Sequence, residues 1–154
     1  MAIRFSTGLK NRILNLTTGT PPGSSLGDAI DDGQLIIYSG SPPASPDDAA
    51  TGTVLVTYVE NATGSFNLTF EASTSGGSLV KAASQTWSGV SSASGTGGYF
   101  RYVVSGDDGT ADPTQVRIQG TVGGAGADLF LASSEFDGSS TYFIDAFAIA
   151  IPDL

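Results

Sequence analysis

From residue 34 onward, short runs of β-branched and aromatic residues alternate with clusters of Gly, Ser, Pro, Asn and Asp, and this recurrence restricts the fold more than any other feature. Gln34–Ser39 (QLIIYS), Thr53–Glu60 (TVLVTYVE), Phe66–Glu71, Leu79–Ala83, Thr86–Val90, Tyr99–Ser105 (YFRYVVS), Thr114–Gln119, Asp128–Ala132 and Thr141–Pro152 each read as a strand. Eight or nine strands at roughly 8–14-residue spacing, joined by Gly-rich turns, predict an all-β chain, an antiparallel β-sandwich of jelly-roll-like type. The strand–helix alternation of a parallel sheet is absent, as is any solenoid or propeller repeat. In the last run, Phe143, Asp145, Phe147, Ile149 and Ile151 share one face and Tyr142, Ile144, Ala146, Ala148 and Ala150 the other. Beyond Asp145 both faces are apolar. The run therefore reads as a central strand, or one covered by a neighbouring subunit. Phe147, Ile149 and Ile151 become candidate subunit-interface residues of a homo-oligomer, expected as a trimer.

The first 33 residues read differently. Phe5, Leu9, Ile13 and Leu16 recur at helical spacing, and Ser6 or Thr7 can cap the helix they predict over residues 5–16. Thr17–Ser25 (TTGTPPGSS) is rich in helix breakers and reads as a linker. Leu26–Asp32 predicts one helical turn closed by Gly33. The organisation expected is an N-terminal helical arm and linker over 1–25 and a β-sandwich over 26–154. Charge sharpens that division. Residues 1–27 carry +3 and the rest −12, within a net charge of −9. A basic arm on an acidic body suits docking onto an acidic partner, with Arg4, Phe5, Leu9, Lys10, Arg12 and Ile13 as the docking residues. The competing reading is a helix packed on its own sandwich with its basic residues in solvent.

Composition removes whole classes of chemistry. The chain has no Cys and no His, which excludes thiol nucleophiles, Cys/His zinc sites and His-based triads. An acidic body without a basic, aromatic-interleaved patch does not suit nucleic acid. No run approaches a membrane span, and residues 1–16 lack a signal-peptide apolar core, so neither membrane association nor secretion is expected. Asp107, Asp108 and Asp112 in SGDDGTADP invite a Ca²⁺ reading, yet their spacing does not match an EF-hand loop and Asp-Gly is ordinary turn chemistry. Asp28, Asp31 and Asp32, and the pair Asp47–Asp48, read as solvated loop acids rather than a glycosidase pair. The segments Gly95–Gly98 and Gly123–Gly126 lack the Lys-Ser/Thr of a phosphate loop and read as turns. Trp87 reads as a core residue whose indole N–H needs a partner. Neither a cofactor nor a metal is expected, and the chain is not expected to be an enzyme.

The stretches MAIRFSTGLKNRIL, GQLIIYSGSPPASPDDAATGTVL, KAASQTWSGVSSASGTGGYFRY and VRIQGTVGGAGADLFL resemble a family of small virion structural proteins of tailed bacteriophages and prophages. The likeness runs from Met1 to about Leu131 and has no catalytic motif attached. It implies a particle component assembled in the host cytoplasm. The reading that best suits the length, acidity and Ser/Thr/Gly-rich composition is a capsid decoration (cement) protein that binds the major capsid protein and bridges shell subunits. A tail or head-fibre component binding host-surface glycan is the alternative. It predicts more exposed aromatics than one Trp and five Tyr readily supply. A glycan hydrolase is disfavoured by the missing His and Cys.

Overall fold

The structure, a computed structural model, describes residues 3–14, 25–72 and 76–150. Strands account for 41% and helices for 10% of it, so the chain is all-β. In chain order the elements are β1 (Arg4–Phe5), α1 (Thr7–Leu14), α2 (Leu26–Ile30), β2 (Gly33–Ser39), β3 (Val54–Glu60), β4 (Ser78–Val80), β5 (Trp87–Val90), β6 (Gly95–Val104), β7 (Arg117–Gly123), β8 (Leu129–Phe130), β9 (Glu135–Phe136), β10 (Thr141–Ile144) and β11 (Ala148–Ala150). The main sheet runs β1-β7-β6-β2-β3-β5-β10; β8 lies beside β7 and β9 beside β6, and β4 and β11 form a second, small sheet. All pairings are antiparallel except β7–β8.

The pleat divides the main sheet into two faces. Leu35, Ile37, Tyr58, Phe100, Tyr102, Ile118 and Trp87 point to the front face and are buried. The opposing layer is supplied by Ala29 and Ile30 of α2, by Leu68 and Phe70, and by Leu79, Phe147 and Ile149 around the small sheet. Its centre is aromatic. Phe147 lies 5.6 Å from Trp87, 5.8 Å from Phe100 and 6.4 Å from Tyr102, and Phe70 meets Trp87 edge-on at 5.5 Å. The Trp87 indole donates to Gln85 Oε1 at 2.9 Å, the partner its burial requires.

Several boundaries differ from the expectation, each for a physical reason. The continuous strand expected over 141–152 is broken. β10 pairs with β5 of the main sheet and β11 with β4 of the small one. The bend between them changes the parity, so Ile144, Phe147 and Ile149 all point inward while Phe143 is 57% exposed. A segment crossing from one layer to the other has apolar residues on both its faces without being central. The alternating run 66–71 forms isolated bridges instead of a ladder, though Leu68 and Phe70 do face inward. Gly95–Gly98 is the start of β6, not a turn. α2 is closed by Asp31 in extended and Asp32 in left-handed conformation (φ 55°), so Gly33 opens β2 instead of ending the helix. Gly33 is glycine for another reason: a Cβ there would lie 2.2 Å from the Tyr102 ring.

Candidate functional site

The back face of the main sheet carries the residues with the most chemistry. Arg101 on β6 stands between Ile36 of β2 and Gln119 of β7, and Gln119 in turn stands beside Arg4 of β1. Arg117 lies one pleat further along β7. Strand pairing therefore sets three arginines and a glutamine, drawn from distant parts of the sequence, on one surface. Two loops roof it, residues 40–53 and 105–116.

Each polar side chain holds a particular part of that roof. Arg4 donates to the Ala44 carbonyl. Gln119 Nε2 donates to the Pro43 carbonyl at 2.9 Å. Tyr99, stacked on Tyr38 at 4.9 Å, donates to the Thr51 carbonyl at 2.6 Å. Arg117 is wholly engaged: Nε and Nη2 grip Asp107 at 2.5 and 2.8 Å, Nη1 donates to Pro46 O at 3.0 Å, and Nη2 donates to Thr110 O at 2.7 Å. Both members of the Arg117–Asp107 pair are buried. Burial works against the Arg117 charge, but the hydrogen bonds and charge of Asp107 outweigh it, and the guanidinium stays above the ordinary arginine value. The two loops also bind each other through Ala50 N to Gly109 O and Asp112 N to Asp47 O, both at 2.9 Å.

Asp28, Asp31, Asp32 and Asp48 are exposed, as expected of loop acids, and several acids also fasten turns from the surface. Asp47 accepts from Thr7 N at 2.8 Å and Thr7 Oγ1 at 2.6 Å, tying α1 to the roof. Asp28 and Ser25 form a capping box on α2. Asp48 accepts from Ser45 N, Asp108 from Thr110, Asp112 from Thr114, Asp128 from Thr121 and Asp137 from Ser140. Asp107, Asp108 and Asp112 are thus directed into turns and an ion pair, and no group of three potential metal ligands occurs among the described residues. Sequence reasoning recognised the turn chemistry of this loop. It missed the Asp107–Arg117 pair, because nine residues of intervening loop hide the partnership.

The expected docking residues are largely spent inside the molecule. Leu9 is fully buried, and Phe5 and Ile13 pack partly buried against the same core. β1 pairs with β7, and Ser6 is buried with its hydroxyl bonded three ways: to Gln115 O at 2.6 Å, from Arg117 N at 2.9 Å and from Leu9 N at 3.1 Å. Ser6 is therefore the cap of α1, while Thr7 binds Asp47. Residues 3–14 pack on the sandwich, the competing reading of this segment, and do not form a separable arm; residues 15 and 16 of the helix expected over 5–16, and residues 17–24 of the linker expected over Thr17–Ser25, lie outside the described residues. Lys10 and Arg12 do face solvent, as does Leu14 at 79% exposure. Arg4 and Lys10 border an open depression of about 400 Å³ beside Ala44–Pro46.

The expected subunit interface is likewise corrected. Phe147 and Ile149 are covered by the chain's own aromatic core and need no second subunit; Ile151 lies outside the described residues. Among the apolar side chains left open near that end are Val80, paired with Ala148, and Phe143 and Val90, on one face of the β10–β5 pair. No helix among the described residues is long and apolar enough to cross a membrane. Comparison of the chain with protein-family models, with curated proteins and with solved structures finds no match.

Proposed function

We propose that the chain is a structural protein of a tailed-phage virion, a decoration protein seated on the outer shell against the major capsid protein. The observation that carries this reading is the fate of the charged side chains. Arg4 and Arg117 on the back face and most of the described acids are committed to fastening loops and turns. What faces outward is a Ser/Thr/Gly-rich surface whose charges are mostly acids, such as Asp31, Asp32, Asp48 and Asp145, and this suits adhesion between subunits rather than turnover. The resemblance of four long stretches to small virion proteins supports the same reading. Docking then draws on the outer side of the N-terminal segment, where Lys10 and Arg12 offer a local positive element to an acidic shell. Self-association, proposed as a trimer, draws on the exposed Phe143 and Val90.

Co-sedimentation with phage particles lacking the protein tests this. The intact protein should pellet with the particles, and the double variant Lys10→Glu/Arg12→Glu should pellet less, the difference narrowing as salt is raised. Mass spectrometry of native particles should find many copies per particle; a few copies would favour a tail or fibre position. Absence from the particle, or turnover of cell-wall or capsule glycan by the purified protein, would overturn the reading.

A further inference from the structure

β1 is an outer strand of the main sheet, and its far side is unpaired among the described residues. Ser6 N donates to Arg117 O and Arg4 stands opposite Gln119, so the backbone groups of Arg4 and Ser6 turn toward β7. Alternation turns the Phe5 N–H and C=O the other way, where neither has a partner among the described residues. Beside this edge lies the open depression of about 400 Å³ walled by Ile3, Phe5 and the Ala44–Pro46 turn. Its charged lining residues are Arg4 and Lys10, both exposed. Arg4 uses Nη1 alone on the Ala44 carbonyl, and the Lys10 ammonium has no partner among the described residues. The neighbouring acids Asp47 and Asp48 are held by Thr7 and by Ser45 N, and neither lines the depression. The cavities beside α2 and beside residues 107–109 are walled by acids, in a chain of net charge −9. The depression at β1 is walled by cations.

We propose that the outer edge of β1 receives an extended acidic segment of a partner protein, added as a further strand of the main sheet. An open edge selects an extended backbone, because the Phe5 N–H and C=O can bond only to another strand laid alongside. Charge selects the side chain. In an added strand the residue opposite Arg4 stands on the back face beside the guanidinium, where Asp or Glu makes a cross-strand pair of opposite charge and Lys10 adds a second positive charge. The residues on either side of it stand on the other face, next to Ile3 and Phe5, which pack against the core and favour apolar neighbours. The segment that fits therefore reads apolar–acidic–apolar. β1 has only two residues, so the contact is short and the charges choose the occupant. That the donor is a shell protein rests on the virion reading; the chemistry of the edge does not.

The probe is the blocked peptide acetyl-Thr-Val-Glu-Val-Thr-amide, titrated into ¹⁵N-labelled protein. The Phe5 amide signal should shift and saturate. Two altered peptides separate backbone from charge. N-methylation of both valines removes the donors that face β1 and should weaken binding about tenfold, the contribution of one or two backbone hydrogen bonds. Glutamine in place of the glutamate should weaken binding about threefold at low salt, and less as salt is raised. Lys10→Gln, an exposed change on α1, should narrow the difference between the glutamate and glutamine peptides. A Phe5 signal that the glutamate peptide leaves unmoved, or equal binding of the N-methylated peptide, overturns the proposal. So does a Phe5 signal that moves with protein concentration alone, which assigns the edge to a second copy of this chain. No particle enters this titration. If the peptide binds while the intact protein fails to pellet with particles, the virion reading falls and the strand site stands; if the protein pellets while Phe5 stays unmoved, the strand site falls alone.

Discussion

Arg117 reaches, from one position on β7, a carboxylate and two segments of loop that are far apart in sequence. Its pair with Asp107 is buried, and breaking a buried pair from one side leaves the other charge uncompensated. Asp107→Asn should lower the unfolding free energy by about 3–5 kcal/mol in urea titrations; a loss under about 1 kcal/mol would mean that the backbone carbonyls alone satisfy Arg117. Gly33 makes a complementary case, where the fold needs the absence of a side chain. Gly33→Ala drives a methyl into the Tyr102 ring and should cost about 1–3 kcal/mol by overpacking. Neither role was legible in the sequence. Gly33 read as a helix terminator because it follows a short helical pattern, and Arg117 read as one of a few scattered basic residues.

α1 and β1 show what was legible at the scale of elements and what was not. The spacing of Phe5, Leu9 and Ile13 and the capping residue predicted the helix, and local periodicity is enough for that. Where its apolar stripe goes is a tertiary matter, and charge asymmetry pointed toward a partner while packing points to the chain's own core. One sequence signal for close docking was present. Gly8 sits in the first turn of α1, where glycine is poorly suited to a helix, and a Cβ there would fall 2.2 Å from the Thr114 carbonyl oxygen. Gly8→Ala should therefore destabilise the protein despite its better helix propensity; a more stable variant in thermal melts would show α1 sitting further from the body. The strands β2, β3 and β6 were readable because β-branched and aromatic residues concentrate there. The two-residue strands β1 and β9 were not, since so short a run carries no periodicity, and the break between β10 and β11 was not, since it depends on a layer crossing.

Taken as a whole, the molecule is a two-layer β body whose loops are fastened by carboxylates, and its response to pH follows. Hydrogen bonds from Ser25, Thr110, Thr114 and Ser140 hold Asp28, Asp108, Asp112 and Asp137 below the usual carboxylate range. A carboxylate depressed in the folded state contributes stability that is present above its unfolded value and disappears as pH falls through its folded one. The melting midpoint should accordingly hold between about pH 7 and pH 5 and fall below about pH 4; a midpoint rising steadily into acid would mean that repulsion within the −9 body outweighs these bonds. The same fastening makes the positively charged N-terminal segment part of the sandwich, and amide hydrogen exchange measures that most directly. Ser6 N donates to Arg117 O, Thr7 N to Asp47 and Leu9 N to Ser6 Oγ. These three amides should exchange as slowly as those of β6 and β7, in step with global unfolding. Exchange at the rate of an unstructured chain, with β6 and β7 still protected, would contradict the account and restore a free arm.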